Sequence, residues 1–590
     1  MKNNILPIFT IFAVPLLYFY NETAALLLTA AVAIGYTIFS LLEQQKVKLL
    51  PNRFFILPVL IILAWLFTVG RSVWVSSSYY GSLPVFIKLC VLLLISYSVS
   101  YQLATIPGCY LTYYRIAAFT GLFQGLMAIC EYIEAPPIPK TWLDPDSKEL
   151  FRTRCCGIMT DPNIFAAFLS VLFIMTVALI INTKNNKEKI GAAISLVLCG
   201  IGIMMTLSRG GWIALIAALI AYFIGLFISK IKPDKLSIKT LGICSSILLI
   251  VFFAGPFKYR FISITKPSDM TFFQRTLINK GIMGSITKLP ILGHGLHTFA
   301  LVYPLYRIVG GDYPLYAHNE YLQSMIETGF LSSILLLLIT FYLFRLSYLA
   351  AKQKKANTIV FASVFISLLI QNLSGFSSRI FPTSVLIALS VGAILASQLK
   401  TAKTSQKQSS TKTIKYFNYA IGILLIIIIP GCYNIYYIQN QFNIANNALK
   451  AGNVQNAINI YEHILAKQPN QPLAANALGM LLQLSKQTDS AALIWKNAIN
   501  DNKFEATFPI NLARLYSNTN IEQSSYYYQK SIELDPASEN YRLEYAQFLI
   551  KNNKKELAKE VLEKGLTYSP GFHNVYTGFK EMEELLSKLK

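Results

Sequence analysis

Thirteen apolar stretches constrain what this chain can become. They fall at 5–20, 22–42, 54–70, 83–102, 110–130, 163–182, 190–207, 211–229, 239–256, 324–345, 357–373, 380–398 and 416–437. Each is close to the ~20 residues a helix needs to cross a hydrocarbon layer about 30 Å thick. Inside such a layer a segment must satisfy its own backbone hydrogen bonds, so each stretch is expected to be a helix. The first is short, but it has no small-residue cleavage site and is expected to be a retained helix. Residues 441–590 are polar by contrast. The expected fold is all-α: a polytopic membrane domain of about 12–13 transmembrane helices over 1–437, then a soluble helical domain over 441–590.

Charge supports that division. Only 14% of residues are charged, against about 25% in soluble proteins, yet the net charge is +23. Many of the basic residues cluster in short loops. With the N-terminus in the cytoplasm, Lys46, Lys48 and Arg53 fall inside. So do Lys184, Lys187 and Lys189; Lys230, Lys232, Lys235 and Lys239; Arg345, Lys352, Lys354 and Lys355; and Lys400, Lys403, Lys407, Lys412 and Lys415. One missed helix would break this alternation. The other side receives two longer loops, about 131–162 and 257–323, the turn Ser208-Arg209-Gly210-Gly211, and the C-terminal domain. Such charge orients a membrane protein, and no basic helix with interleaved aromatics points to nucleic acid.

The C-terminal domain carries a repeat. Pro469, Pro536 and Pro570 mark a period near 34, with Lys503 at the missing beat. Twelve residues before each mark stand Ala457, Ala491, Ser524 and Ala558, all small enough to let paired helices approach. A 34-residue helix–turn–helix period is the tetratricopeptide pattern, and about four units fit.

Four polar residues at the ends of apolar runs, or in the loops between them, fall on the side opposite the basic loops: Arg154, Arg209, Arg275 and His318. Arg209 stands in a Ser-Arg-Gly-Gly turn, where Ser208 and Gly210 let backbone approach a ligand and the next helix favours an anion. Arginine matches phosphate oxygens with a two-pronged fork. Arg154 precedes a shaped loop ending in Pro162-Asn163, and Arg275 lies on a candidate surface helix. His318 has an imidazole suited to base chemistry near neutral pH, with Asn319 beside it as a helix cap or ligand. The bland alternatives are snorkelling arginines and a satisfied interfacial histidine. Asp161, Asp312, Glu320 and Glu327 form no paired-acid motif, and His294, His297 and His318 lack a carboxylate in ligand spacing. Cys155 or Cys156 could bridge to Cys130, though no spacing rule requires it. No metal or nucleotide cofactor is indicated.

At these residues the chain resembles the O-antigen ligase and polymerase superfamily of bacterial membrane glycosyltransferases, which includes the protein O-oligosaccharyltransferases. The matching pieces run in order: Arg154…Gly157…Pro162-Asn163, Ser208-Arg209-Gly210, Arg275, Pro290…Gly293-His294-Gly295, and His318-Asn319…Glu327-Thr328-Gly329. They cover roughly residues 1–400. The resemblance implies transfer of a glycan from undecaprenyl diphosphate to an acceptor hydroxyl on the extracytoplasmic face of the bacterial inner membrane. It assigns Arg209 and Arg275 to the diphosphate, Arg154 to support, His318 to general base, and Asn163, Ser208, Gly210 and Asn319 to substrate contacts. The acceptor is a lipid, a glycan or a protein, so ligase and polymerase both stay open. The repeat domain, absent from the plainest ligases, would recruit an acceptor or a protein partner. A membrane-anchored scaffold needs far fewer helices, and a transporter would favour charges near the bilayer midplane.

Overall fold

The computed structural model describes residues 4–43, 47–51, 53–74, 76, 78–138, 153–262, 270–308, 313–403, 411–568 and 577–589. Lys46, Asp312, Lys407 and Pro570 lie outside the described residues. The membrane domain contains α1 (Ile5–Tyr20), α2 (Glu22–Glu43), α3 (Arg53–Trp74), α4 (Tyr79–Thr105), α5 (Cys109–Glu134), α6 (Pro162–Asn182), α7 (Asn186–Met205), α8 (Arg209–Ile228) and α9 (Lys235–Ala254). After a loop helix, α10 (Met270–Gly284), come α11 (Glu320–Lys352), α12 (Ala356–Gln371), α13 (Phe381–Ala396) and α14 (Thr411–Lys450). Ten of these are long and apolar enough to cross a membrane, and α1, α12 and α13 are shorter apolar helices.

Helix α6 is apolar on every side and is buried along nearly its whole length, at the centre of the bundle. That is what an all-round hydrophobic helix does in a large assembly. Helix α9 is also apolar, though less so, and is mostly exposed, as a lipid-facing helix would be.

Contacts sort the loops into two ends. At the basic end, Arg115 pairs with Glu188 at 2.5 Å and Lys189 with Asp234 at 2.6 Å. Ser229 donates to the Ala351 carbonyl at 2.8 Å, and Lys355 to the Ser397 carbonyl. There the all-helical expectation gains one addition, a short antiparallel ribbon of β1 (Val47–Pro51) and β2 (Leu399–Lys403), with Leu49 opposite Thr401. Two connecting segments satisfy their backbone groups on one another. The opposite end, here the loop end, gathers the turns around 154, 208, 318 and 379.

Helix α14 runs unbroken through 437–441, where the sequence places the domain boundary, so its last turns already belong to the first repeat hairpin. The repeats continue as α15 (Val454–Lys467), α16 (Pro472–Leu484), α17 (Thr488–Asp501), α18 (Thr507–Tyr516), α19 (Ile521–Leu534), α20 (Glu539–Lys551), α21 (Lys555–Leu566) and α22 (Thr577–Ser587). Ala457, Ala491, Ser524 and Ala558 are each 0% exposed, as the small-residue period requires.

Candidate active site

The site is framed by helix caps. Asp161 Oδ1 accepts from the backbone N–H groups of Asn163 and Ile164 at 2.7 and 3.0 Å, and Pro162 takes the first helical position of α6. The cap fixes Asn163, whose carboxamide oxygen accepts from Arg154 Nη2 and from Ser208 Oγ, both at 2.9 Å. Arg154 Nε donates to the Thr206 carbonyl at 2.9 Å. Ser208 caps α8 by accepting from the Gly211 N–H at 3.3 Å. Arg154, Asn163 and Ser208 therefore form one frame joining the ends of α6, α7 and α8. A Cβ on Gly210 would stand 3.0 Å from Ser374 Oγ, so the glycine lets the turn after α12 close against α8.

The arginines converge. Burial first, then the nearby charge of Arg260, lowers the pKa of Arg154; Asp161 partly offsets this, and Arg275 and Arg209 add to the lowering. A guanidinium so placed still stays protonated at neutral pH. Arg209 is the first residue of α8, Arg275 lies on α10, and Arg260 is only 2% exposed in the short helix Phe257–Ile262, with Nε 3.4 Å from the Leu207 carbonyl. The sequence reading missed Arg260, because nothing in its local pattern separates it from Lys258.

His318 closes the constellation. Its backbone is left-handed, at φ 52°. Its ring meets Phe376 edge-on at 5.2 Å, and its Nδ1 is buried with no hydrogen-bond partner. Burial, and then Arg275, pushes its pKa down to about 3, so the ring is a neutral base across the physiological range. The turn is anchored from behind. The Ala317 N–H donates to Gln323 Oε1 at 2.9 Å, Gln323 Nε2 donates to Glu327 Oε1 at 3.0 Å, and Glu327 Oε2 accepts from Arg379 at 2.7 Å. Arg379 also pairs with Glu320 at 2.7 Å. Asn319 Oδ1 accepts from the N–H groups of Tyr321 and Leu322 at 3.2 Å, so this oxygen serves as the cap of α11. Arg379 escaped the sequence reading, although Ser378-Arg379 sits in an inter-span turn just as Ser208-Arg209 does.

Residues 194–337 match the family model described as O-Antigen ligase. Over this stretch the chain is similar to the O-antigen ligase domain. The matched stretch includes Arg209, Arg260, Arg275 and His318, while Arg154 and Asn163 precede it. The match supports a glycosyltransferase of the O-antigen ligase or polymerase kind, and the many long apolar helices fit a multi-pass membrane protein. None of the curated proteins matches the chain. Among solved structures, MamA is similar at 17% identity over 25% of this chain and 87% of that one, with a TM-score of 0.21. The yeast Tom70 is similar at 13% identity over 73% of this chain and 89% of that one, with a TM-score of 0.27.

The ligase-like domain also holds a cavity of about 560 Å³, which none of the four clustered arginines lines. Leu92, Leu343 and Phe365 line its depth; Glu22, Lys88, His297, Tyr316, Glu320 and Arg379 line its loop end. Tyr316 stacks on Phe376 at 4.5 Å, so cavity and histidine meet across one aromatic ring. None of the eight cysteines is in a disulfide; Cys155 Sγ donates to the Ala128 carbonyl at 3.3 Å, and no bridge to Cys130 forms.

Proposed function

We propose that the protein transfers a glycan from undecaprenyl diphosphate to an acceptor hydroxyl, as an O-antigen ligase does. The observation that carries this reading is the convergence of Arg154, Arg209, Arg260 and Arg275 beside an unpartnered His318 ring nitrogen. Four guanidinium groups in a partly dry site repel one another, and a diphosphate relieves that repulsion. The acceptor oxygen attacks the anomeric carbon, whose bond to the diphosphate oxygen breaks. The bonding pair leaves with the lipid diphosphate, and the hydroxyl proton passes to His318. The leaving group is already a phosphate anion, so the step formally needs neither metal nor nucleotide. Arginines aimed at the charge that develops on it are each worth several kcal/mol, about 10²–10³ in rate.

In this reading Arg209 and Arg275 face the diphosphate, and Arg154, held by Asn163 and Ser208, braces them. The apolar cavity beside Phe376 suits the isoprenoid tail. Residues 1–437 form the transferase and 441–590 the repeat domain. Both the site and the repeats lie on the outer face of a bacterial cytoplasmic membrane. The acceptor is a lipid, a glycan or a protein, and the repeats offer a surface for an acceptor or partner.

The test is the glycan profile of a deletion strain complemented with wild type, His318→Ala or Arg209→Ala. Loss of surface glycan with long lipid-linked chains accumulating, rescued only by wild type, identifies a ligase; accumulation of single repeat units identifies a polymerase. A normal profile in both variants, at normal expression, sinks the catalytic reading.

A further inference from the structure

The repeat period and the external loop come into register. Gln471, Phe504 and Ala537 recur every 33 residues. Each lies in the turn that follows the second helix of one repeat and precedes the first helix of the next. All three turns touch the ligase-like domain at its loop end. Tyr80 packs on the first repeat core, beside Gln471. The Ala537 carbonyl accepts from Arg307 Nη2, and Asp535, two residues earlier, accepts from the Tyr313 hydroxyl at 3.0 Å. Arg307 also lies 3.7 Å over the Tyr313 ring, which ties the two sides of the loop to one turn.

The middle contact reaches furthest inward. The Phe504 ring meets His294 edge-on at 5.3 Å and packs on a small core containing Ile278, Ile282, Phe299 and Ala317. Ile278 stands one helical turn from Arg275 on α10, and Ala317 immediately precedes His318. One aromatic side chain from the repeat domain thus presses on the core beneath the arginine and the histidine that are brought together. Because α14 passes into the first hairpin without a linker, the repeats have a rigid base from which to press.

We propose that Phe504 is a positioning residue: through two turns one repeat apart, with a third seated on Tyr80 of α4, the repeat domain braces the external loop and holds Arg275 and His318 in place for transfer. The inference rests on the transferase reading for its catalytic consequence, but the brace itself does not need that reading. It also gives the phenylalanine after Lys503, at the beat where the proline is missing, a role of its own.

The experiment compares full-length wild type, Phe504→Ala, Phe504→Leu, Lys503→Ala and His318→Ala in detergent or nanodiscs. It measures turnover of the lipid-linked donor and backbone hydrogen exchange. A misplacement of about 1 Å at a reacting centre costs roughly 10²-fold. Phe504→Ala should therefore lower kcat by about 10–100-fold with donor KM nearly unchanged. Phe504→Leu should recover most of the loss, and Lys503→Ala, exposed on the same turn, should behave as wild type. Exchange should quicken in 277–282 and 313–318 in Phe504→Ala alone. Unchanged exchange there overturns the brace whatever happens to turnover. Faster exchange with normal kcat, while His318→Ala is inactive, overturns the positioning role and leaves the transferase reading standing. Equal turnover in wild type and His318→Ala overturns the transferase reading and the positioning role with it, and exchange then decides the brace alone.

Discussion

In the proposed transfer His318 can act as a base only while its ring is neutral. Burial and Arg275 hold its pKa near 3, far below the ordinary value near 6.5. The folded state therefore binds fewer protons than the unfolded chain between those limits. The stability that this group supports is complete above about 6.5 and is lost as pH falls toward 3. The same shift predicts the rate profile. In kcat/KM, which reports the free enzyme, the acid limb should lie well below pH 6.5. A bound diphosphate offsets Arg275 and favours the imidazolium, so the acid limb of kcat should lie at higher pH than that of kcat/KM. Steady-state rates between pH 4 and 8 check this, and a free-enzyme limb at the ordinary value would mean a solvated imidazole. Arg260 and Arg379 show why single residues are hard to read from sequence. A lone arginine in a loop looks the same whether it snorkels or is buried in a site, and only its neighbours across the fold distinguish the two.

The element that seats the histidine is a broken helix. Helix α11 departs from helical geometry at Gly329, where φ is 84° and ψ is 176°. The Pro290–Gly295 segment fits into that break. The His294 and Gly295 N–H groups donate to the Ile326 and Glu327 carbonyls at 2.9 and 2.8 Å, and the Phe330 N–H donates to Ile291 at 2.9 Å. Backbones this close leave no room for side chains. A Cβ on Gly293 would stand 2.3 Å from the Glu327 carbonyl oxygen, and one on Gly329 2.3 Å from that of Ile291. Both glycines also have positive φ, which alone costs other residues of order 1–3 kcal/mol. Gly293→Ala and Gly329→Ala should each lower the thermal midpoint and abolish transfer by unseating Glu327 and the His318 turn. A normal midpoint in either variant would mean that the break does not depend on this fit. The Gly-His-Gly and Glu-Thr-Gly pieces, separate in the sequence, are thus the two halves of one joint.

For the whole molecule, the contacts at the basic end and at the loop end separate the loops as the lysine count does, with the repeat domain at the loop end. Sidedness is directly testable. In a background with the native cysteines replaced by serine or alanine, Lys555→Cys in intact cells, or in spheroplasts if an outer membrane is present, should react with an impermeant thiol reagent, whereas Lys187→Cys should react only after permeabilisation. The reverse result would put the arginine cluster on the cytoplasmic side and exclude a donor presented outside. The repeat domain contributes to the fold beyond its own hairpins, because its inter-repeat turns meet the loop that carries Arg275 and His318.

The helices of the membrane domain, the alternation of their loops and the stacked hairpins were legible in the chain alone. Apolar length, loop charge and a 34-residue period are local or periodic properties, each repeated often enough to outweigh any single ambiguous segment. The family pieces placed His318 and three arginines in order, but they did not reveal how those residues are held. Asn163, Ser208 and Asn319 look like ligand contacts in sequence, yet each has its carboxamide or hydroxyl oxygen in a helix cap or hydrogen-bonded frame. Arg260 and Phe504 carry no local mark, and the Ser378-Arg379 turn shows its role only beside its partners, because their surroundings come from segments tens to hundreds of residues away. Burial, charge repulsion and aromatic packing exist only once those segments have met.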